Sequence, residues 1–167
     1  MRLFEKVEAL GHEEVHFFSD PTTGYRAIIA LHSTVLGPAV GGTRLWRYRT
    51  EEEALTDALR LSRGMTYKAA AAGLPLGGGK AVILADERAA DRERLFRSHG
   101  RAVDRLGGRY ITAEDVGTSP EGAGSSMHLR ESERLLGPGP LEPGAATGAH
   151  LMWSPDTLLP CQTSPAQ

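Results

Sequence analysis

Apolar positions near the start of the chain predict one helix followed by one strand. The helix is expected to end at Gly11, because the apolar residues before it recur at helical spacing. These residues are Leu3, Phe4, Val7 and Leu10. Residues 12–18 lead into a turn signal at residues 20–24 and are expected to be extended. In a strand His12 and His16 would lie about 13 Å apart, so the zinc-protease pattern that they match is not expected to bind metal.

The next segments predict two strands and a long helix. Residues 25–31 are rich in β-branched side chains, and residues 35–44 continue extended with glycines that would admit a ligand to the backbone. Thr50 followed by Glu53 is a capping-box signature, and the helix that it begins is expected to end at Leu74–Pro75. One face of this helix is expected to hold Ala54, Ala58, Leu61, Met65 and, if the helix extends that far, Lys68.

From residue 80 the pattern alternates between strand and helix. Residues 80–84 are expected to be a short buried strand, residues 91–106 a charged surface helix, and residues 110–113 another strand. The alternation is typical of an α/β fold, for which we expect an open mixed β-sheet flanked by helices. Glu114 and Asp115 then lie at a strand end, where α/β sheets usually place their chemistry.

The composition changes after Thr118. Residues 120–167 contain seven of the ten prolines and no Val, Ile, Phe, Tyr or Lys. Such a segment offers little apolar surface to offset the chain entropy that is lost on ordering. We therefore expect an ordered domain at residues 1–119 and an irregular, largely disordered tail at residues 120–167.

Composition and charge argue against several classes of function. The chain has 167 residues, which is enough for one domain with a hydrophobic core. A net charge of -2 gives no basic field for nucleic acid, and no apolar run is long enough for a membrane span. The first ten residues do not read as a secretory signal, and Cys161, the sole cysteine, cannot form an internal disulfide. We expect a cytoplasmic protein with no nucleic-acid or membrane partner.

Lysine is used sparingly, and two lysines lie in one otherwise uncharged segment. The chain has three lysines against sixteen arginines, and Lys68 and Lys80 both lie within Gly64–Val82. A desolvated lysine can lose its proton and act as a base, whereas arginine stays charged. The alternative is that either lysine is a solvated charge beside a turn. The apolar neighbours favour a partly buried cleft for at least one of them.

The glycines before Lys80 do not form a phosphate-binding loop. That motif needs a glycine, four further residues, and then Gly-Lys-Ser/Thr at the start of a helix. Leu74 stands at the first glycine position, Ala81 follows the lysine, and a strand is expected next. A dinucleotide fingerprint is not expected either, because the nearest candidate has Glu142 at its third glycine position.

Three separated motifs together resemble one enzyme family. They are GGTR at Gly41–Arg44, the segment Asp57–Ile83, and GRYITAEDVGT at Gly108–Thr118. In this order and at this spacing they closely resemble the leucine, phenylalanine and valine dehydrogenases of the amino-acid dehydrogenase family. The resemblance covers the chain to about Pro120. It implies NAD-dependent oxidative deamination of an L-amino acid to a 2-oxo acid, ammonia and NADH, by a homo-oligomer.

The resemblance also implies roles for particular residues. Lys68 would hold the substrate carboxylate and help to lower the pKa of Lys80, which would activate a water. Asp115 would handle protons on the amino group; without the resemblance, a strand-end cap or an ion pair would explain it equally well. Val40 and Ala113 fall where the side-chain pocket is expected, and being apolar they favour an aliphatic or aromatic substrate over glutamate. The other positions that match the family's substrate site are Gly41, Gly42 and Met65.

The family continues into a second, Rossmann-type domain that binds NAD, and we expect that domain to be absent from this chain. We expect the tail to have no counterpart in the family and to arise from translation in a shifted reading frame or from another aberrant end. The chain is therefore expected to be the N-terminal substrate-binding and dimerisation part of such an enzyme, and to be inactive alone. The alternative is a non-catalytic fragment that only self-associates or binds a partner.

Overall fold

Five strands form one mixed sheet in the computed structural model, which describes residues 2–85 and 91–118. The strand order is β1-β2-β4-β3-β5. Strand β2 runs antiparallel to β1 and β4, whereas β3 runs parallel to both β4 and β5. The expected α/β fold with an open mixed sheet is confirmed. In chain order the elements are α1 (Leu3–Leu10), β1 (Glu14–Asp20), β2 (Tyr25–Ser33), β3 (Ala39–Trp46), α2 (Glu51–Ala71), β4 (Gly77–Leu84), α3 (Arg92–Asp104) and β5 (Tyr110–Glu114).

Helices cover both faces of the sheet because the inner strands alternate apolar side chains between the two faces. On one face, Ile28 and Val82 pack with Leu55 and Leu59 of α2, and α1 lies over the same cluster. On the other face, side chains of β2 and β4 such as Ile29 pack against α3 and the turn that follows it. Every residue of β4 is buried. None of the described helices is long and apolar enough to cross a membrane.

The long helix α2 begins where the capping signature predicted. The Thr50 hydroxyl accepts a hydrogen bond from the Glu53 amide at 3.1 Å, and the Glu53 carboxylate accepts one from the Arg49 amide at 3.0 Å. The predicted buried face is only partly correct, because Leu61 and Met65 are half-buried. The fully buried positions include two pairs of neighbours, Ala54–Leu55 and Ala58–Leu59, followed by the single positions Ser62 and Ala69.

Three predicted boundaries were wrong. Residues 35–38 form a turn instead of extending β3, and the position of a Cβ on Gly37 would lie 2.2 Å from the Pro75 carbonyl oxygen. Helix α2 ends at Ala71, before Leu74, because Gly73 adopts a φ of 66° and its amide donates to the Ala70 carbonyl. Strand β4 begins at Gly77, three residues before its predicted start. The expected disordered tail at residues 120–167 lies outside the described residues.

A buried chain of hydrogen bonds joins α3 to three strands. His99 is 1% exposed, and its Nδ1 lies 2.9 Å from the Tyr25 hydroxyl on β2. Its Nε2 lies 2.7 Å from the Thr43 hydroxyl on β3, which in turn lies 2.6 Å from the Thr112 hydroxyl on β5. A neutral ring can donate through one nitrogen and accept at the other, which suits this chain of hydroxyls. Burial lowers the pKa of His99 to about 4.

The first prediction is that His99 makes the domain less stable in acid. An unfolded histidine binds a proton near pH 6.5, whereas the folded one does so only near pH 4, so the unfolded state binds more protons between these values. The free energy of unfolding should therefore fall as the pH decreases through this window, with His99 contributing at most about 3 kcal/mol. Urea unfolding of the parent and of His99→Gln, above pH 7 and near pH 4, measures the contribution. An equal difference between the two proteins at both pH values would contradict it.

Candidate active site

A lysine lies in the middle of the central strand with almost no contact with solvent. Lys80 is 2% exposed and lies on β4, on the same face as Val82 and therefore toward α2. A buried ammonium needs a partner to offset the water that it has lost. Its Nζ donates to Oδ2 of Asp115 at 2.5 Å. The structure thus brings together Lys80 and Asp115, the two residues to which the resemblance gives proton-transfer roles.

A turn directly after β5 holds the Asp115 carboxylate in place. The strand ends at Glu114, and the Thr118 amide donates to the Asp115 carbonyl at 3.1 Å. The Asp115 amide donates to the Thr118 hydroxyl at 2.8 Å, so the turn is closed from both directions. Gly117 supplies the φ of 79° that the turn requires. Asp115 thus lies at the end of a parallel strand on a fixed backbone.

Arg44 on β3 is a second cation at the same carboxylate. Its Nε donates to Oδ2 of Asp115 at 3.1 Å, and its Nη1 donates to Oδ2 of Asp57 on α2 at 2.8 Å. The Tyr48 hydroxyl donates to the same Asp57 oxygen at 2.8 Å. We refer to Lys80, Asp115, Arg44, Asp57 and Tyr48 as the charge cluster. It connects the central strand, the end of β5, and the first half of α2.

The electrostatics of the charge cluster favour an amine that can give up its proton. Burial lowers the pKa of Lys80, and the positive charge of Arg44 lowers it further, although the hydrogen bond and the charge of Asp115 oppose both effects. Burial opposes the charge on Arg44, but Asp115 and Asp57 outweigh that effect and raise its pKa. Burial raises the pKa of Asp57, but the groups that donate to it bring the net shift below the usual value. Arg44 therefore acts as the neighbouring cation, the role that the sequence had suggested for Lys68.

Four of the predicted substrate-site residues lie on β3 and β5, on one side of β4. In the sheet register, Val40 lies opposite Ile111, and Gly42 opposite Ala113. Strand alternation places Val40 and Gly42 on the face that carries Arg44, which is the face toward α2. Helix α2 packs mainly over β2 and β4. Within the described part of the chain, Ala113 is exposed, whereas Val40 is half-buried and Gly42 is buried.

Gly41 has a structural explanation that does not involve a ligand. A Cβ on Gly41 would lie 1.7 Å from the carbonyl oxygen of Gly79 on β4. The Tyr110 hydroxyl also donates to the Gly41 carbonyl at 2.8 Å. The strands β3 and β4 can approach this closely only because Gly41 has no side chain. Gly42 is the member of the pair on the same face as Lys80.

The last two predicted residues lie near the end of α2. Gly78 allows α2 to approach β4, since a Cβ there would lie 2.1 Å from the Thr66 amide nitrogen. Met65 precedes this contact and is half-buried, whereas Lys68 lies in the last turn of the helix with its side chain exposed. The helix therefore brings both residues to the edge of the face that carries Lys80, with Lys68 at the surface.

The glycines before Lys80 pack against protein and form no cradle for a nucleotide. A Cβ on Gly77 would lie 1.8 Å from the Ser33 carbonyl oxygen, and one on Gly79 would lie 2.7 Å from the Tyr110 ring. All three glycines lie within β4 and no helix begins at Lys80. Among the residues that the structure describes, nothing provides the helix N-terminus that holds a dinucleotide pyrophosphate. We found no fit for NAD in the described part of the chain.

Fold and site together define an α/β domain that holds a buried amine–carboxylate pair at the end of its parallel strands. The family model described as Glu/Leu/Phe/Val dehydrogenase, dimerisation domain, matches residues 12–128. The match covers more than half of the chain. The chain therefore belongs to the Glu/Leu/Phe/Val dehydrogenase family, and the resemblance that the three motifs suggested is confirmed.

The relatives include dehydrogenases for several amino acids. The leucine dehydrogenase of Geobacillus stearothermophilus is 60% identical over 119 residues, which are 71% of this chain and 32% of the relative. The phenylalanine dehydrogenase of Bacillus thermotolerans is 50% identical over 136 residues, or 81% and 34% of the two chains. The crystal structure of L-tryptophan dehydrogenase from Nostoc punctiforme superposes with a TM-score of 0.72 at 49% identity, covering 80% of this chain and 39% of that one. The chain spans about a third of the length of the curated relatives that it matches first.

Sequence reasoning missed three members of the charge cluster. Arg44 is the last residue of GGTR and Asp57 is the first residue of the second motif, but neither was given a role. Their partnership was not visible because thirteen residues separate them and a strand end, a loop and a helix start intervene. Tyr48 lies between the motifs. The sequence did offer one signal, because Arg44 and Asp57 are charged residues inside motifs in which other residues had been given roles.

The second prediction tests the close approach of β3 and β4. Gly41→Ala should destabilise the domain by about 3 kcal/mol or more, because the strands must separate to admit the methyl group. Gly100→Ala on α3 is the matched control, since nothing lies within 4 Å of its Cβ position. There the same change should stabilise the domain by about 0.5–1 kcal/mol through helix propensity. Urea unfolding measures both variants, and a Gly41→Ala protein as stable as its parent would disprove the proposed constraint.

Proposed function

We propose that this chain supplies the substrate-binding side of an NAD-dependent L-amino-acid dehydrogenase. The reaction converts leucine, valine or phenylalanine to the 2-oxo acid, ammonia and NADH. The observation that carries this proposal is the buried Lys80–Asp115 pair, whose lysine lies on the same face of the sheet as Gly42 and the exposed Ala113. The names of the relatives support the reaction class, since they include leucine, phenylalanine and L-tryptophan dehydrogenases. A cytoplasmic location is part of the proposal, because a lone cysteine suits a reducing compartment.

The surroundings of each charged residue support a particular role in the proposed reaction. Lys80, with its pKa lowered by burial, takes a proton from the water that adds to the imine carbon of the oxidised substrate. Asp115 accepts and returns protons at the amino nitrogen as ammonia leaves. Lys68 binds the substrate carboxylate from the end of α2, where its side chain reaches the surface. The buried Lys80–Asp115 pair supports the acid–base part of this proposal, and the exposed position of Lys68 supports the binding part.

The two residues expected at the side-chain pocket favour an apolar substrate side chain. Val40 is half-buried and Ala113 is exposed, and neither side chain can form a hydrogen bond with, or neutralise, a second carboxylate. Burying the side-chain carboxylate of glutamate against them would leave a charge unpaired, at a cost of several kcal/mol. Aliphatic and aromatic amino acids avoid this cost.

The proposed reaction would need NAD as its hydride acceptor. The described residues hold no nucleotide cradle, so the group that binds NAD must come from outside them. Within the described residues, the contribution of this chain is to bind the amino acid and to move protons at its nitrogen and at the attacking water. Without a partner that holds the cofactor within about 3–3.5 Å of the reacting carbon, hydride transfer cannot occur.

Self-association is a second function that a specific observation favours. The matched family model is described as a dimerisation domain. The described residues also expose several large apolar side chains, which a partner surface could cover. These are Phe4, Phe17, Val35, Leu36, Trp46, Tyr67 and Val116. We propose that the chain forms homo-oligomers through this domain.

The third prediction uses a chimera in which the part of the Geobacillus stearothermophilus leucine dehydrogenase beyond the matching region follows Thr118. The chimera should form NADH from leucine, valine or phenylalanine, whereas the chain alone should not. Lys80→Ala should lower kcat by roughly 10²- to 10⁴-fold, the usual contribution of general acid–base catalysis. Lys68→Ala should chiefly raise KM, because it removes a binding charge.

Lys6→Ala is the matched control for both lysine variants, since Lys6 lies on α1 and pairs with Glu52 at the surface. It should leave kcat and KM unchanged. A Lys80→Ala chimera as active as its parent would remove Lys80 from the mechanism. NADH formation by the chain alone would show that a cofactor site exists outside the residues described.

The fourth prediction concerns self-association. Size-exclusion chromatography with light scattering, at micromolar concentration, should give a mass of two or more chains, because a dimer would bury part of the exposed apolar surface. Diluting the protein should shift the mass toward that of one chain if the contact is reversible. A monomer across the whole concentration range would contradict an oligomerisation role.

A further inference from the structure

Arg44 lies between two carboxylates and donates to both. Its Nε reaches Oδ2 of Asp115 at 3.1 Å, and its Nη1 reaches Oδ2 of Asp57 at 2.8 Å. The same Asp115 oxygen also accepts from Nζ of Lys80 at 2.5 Å. One carboxylate oxygen therefore receives hydrogen bonds from two cations, and neither cation has that oxygen to itself.

The end of the Arg44 side chain that points away from Asp115 is held by Asp57 on α2. The Asp57 carboxylate accepts from the Tyr48 hydroxyl at 2.8 Å and from Nη2 of Arg60 at 3.1 Å, in addition to its bond from Arg44. A planar guanidinium can donate through two nitrogens in different directions, which a lysine in its place could not do. Arg44 is consequently held in position independently of Asp115.

We propose that Arg44 is a positioning residue for the reaction: anchored by Asp57, it shares Oδ2 of Asp115 and so prevents this carboxylate from holding the Lys80 ammonium in an exclusive ion pair. The use of this arrangement in catalysis rests on the proposed function. The arrangement itself is a property of the chain. It leaves Lys80 buried and oriented, but more ready to release its proton than a simple lysine–aspartate pair would be.

Charged groups from three elements act on Lys80, and they predict opposite effects for two variants. Asp115 follows β5, Arg44 lies on β3, and Asp57 lies on α2. Burial lowers the pKa of Lys80, Arg44 lowers it further, and both aspartates raise it. Removing the charge of Arg44 should therefore raise the pKa of Lys80. Removing the charge of Asp57 should lower it, because an opposing charge is lost and Arg44 is left with Asp115 alone.

The fifth prediction is tested by NMR titration of the lysine side-chain nitrogens in the complete chain. Three lysines are present, and the Lys80 signal is assigned by its loss in Lys80→Arg. The pKa of Lys80 should rise in Arg44→Gln and fall in Asp57→Asn. Arg97→Gln is the matched control, since Arg97 lies on α3 and pairs with Glu93 at the surface, outside the charge cluster. It should leave the pKa of Lys80 close to that of the parent.

The opposite directions of the two expected pKa changes distinguish a positioning role of Arg44 from a purely structural one. A variant that only loosened the domain would rehydrate Lys80 and raise its pKa whichever residue was changed. A rise in both variants, or no rise in Arg44→Gln, would overturn the inference. A rise in Arg44→Gln with a fall in Asp57→Asn would support it, and the Asp57→Asn arm decides the matter even if Arg44→Gln does not fold.

The chimera gives a second measurement that depends on catalysis. In Arg44→Gln the acid limb of kcat/KM should move to higher pH, because Lys80 must lose its proton before it can act as a base. Asp57→Asn should move the limb to lower pH. If the parent chimera is inactive, the proposed function fails, whereas the NMR titration still decides the role of Arg44. Unchanged limbs in an active chimera would overturn the role of Arg44 while leaving the proposed function in place.

Discussion

The arrangement of this domain depends on a charged amine placed inside the central strand of its sheet. Strand β4 is buried along its whole length, and an ammonium at that depth would cost several kcal/mol if it were unpaired. The Lys80–Asp115 bond offsets that cost, and it requires β5 to end where it does and the following turn to close. In the order β4-β3-β5, a single strand, β3, lies between β4 and the strand that carries this turn. The strand order and the turn after β5 thus both serve to pair the buried Lys80 ammonium with a carboxylate.

The sequence predicted the fold class because local signals agreed with the final packing. Gly11, the Thr50–Glu53 pair and the apolar run that ends at Leu84 mark their elements through backbone geometry that neighbours alone determine. The boundaries that were predicted wrongly lie where packing between distant segments determines the backbone conformation. Residues 35–38 turn because Gly37 packs against Pro75, and periodicity carries no information about that contact. The order of the strands was also beyond reach, since it requires pairing between β3 and β5, which two helices and another strand separate along the chain.

The site could be predicted only as far as single motifs extend. Lys80 and Asp115 were selected because rare or strand-end residue types stand out along a chain, and they prove to be bonded. The contact of Arg44 with both carboxylates joins three segments, so it appears only once the chain is folded. Gly41 shows the converse, because a glycine selected for a ligand also has a structural explanation in the backbone of β4. A motif identifies which residues matter more reliably than it identifies what they touch.

The turn that follows Asp115 also links this residue to strand β3. The Thr118 hydroxyl lies 3.1 Å from the Thr43 carbonyl oxygen and 2.8 Å from the Asp115 amide nitrogen, so it bridges β3 and the base of the carboxylate. The position of the Asp115 backbone therefore depends on one hydroxyl, which ties the end of β5 to β3 through both of these hydrogen bonds.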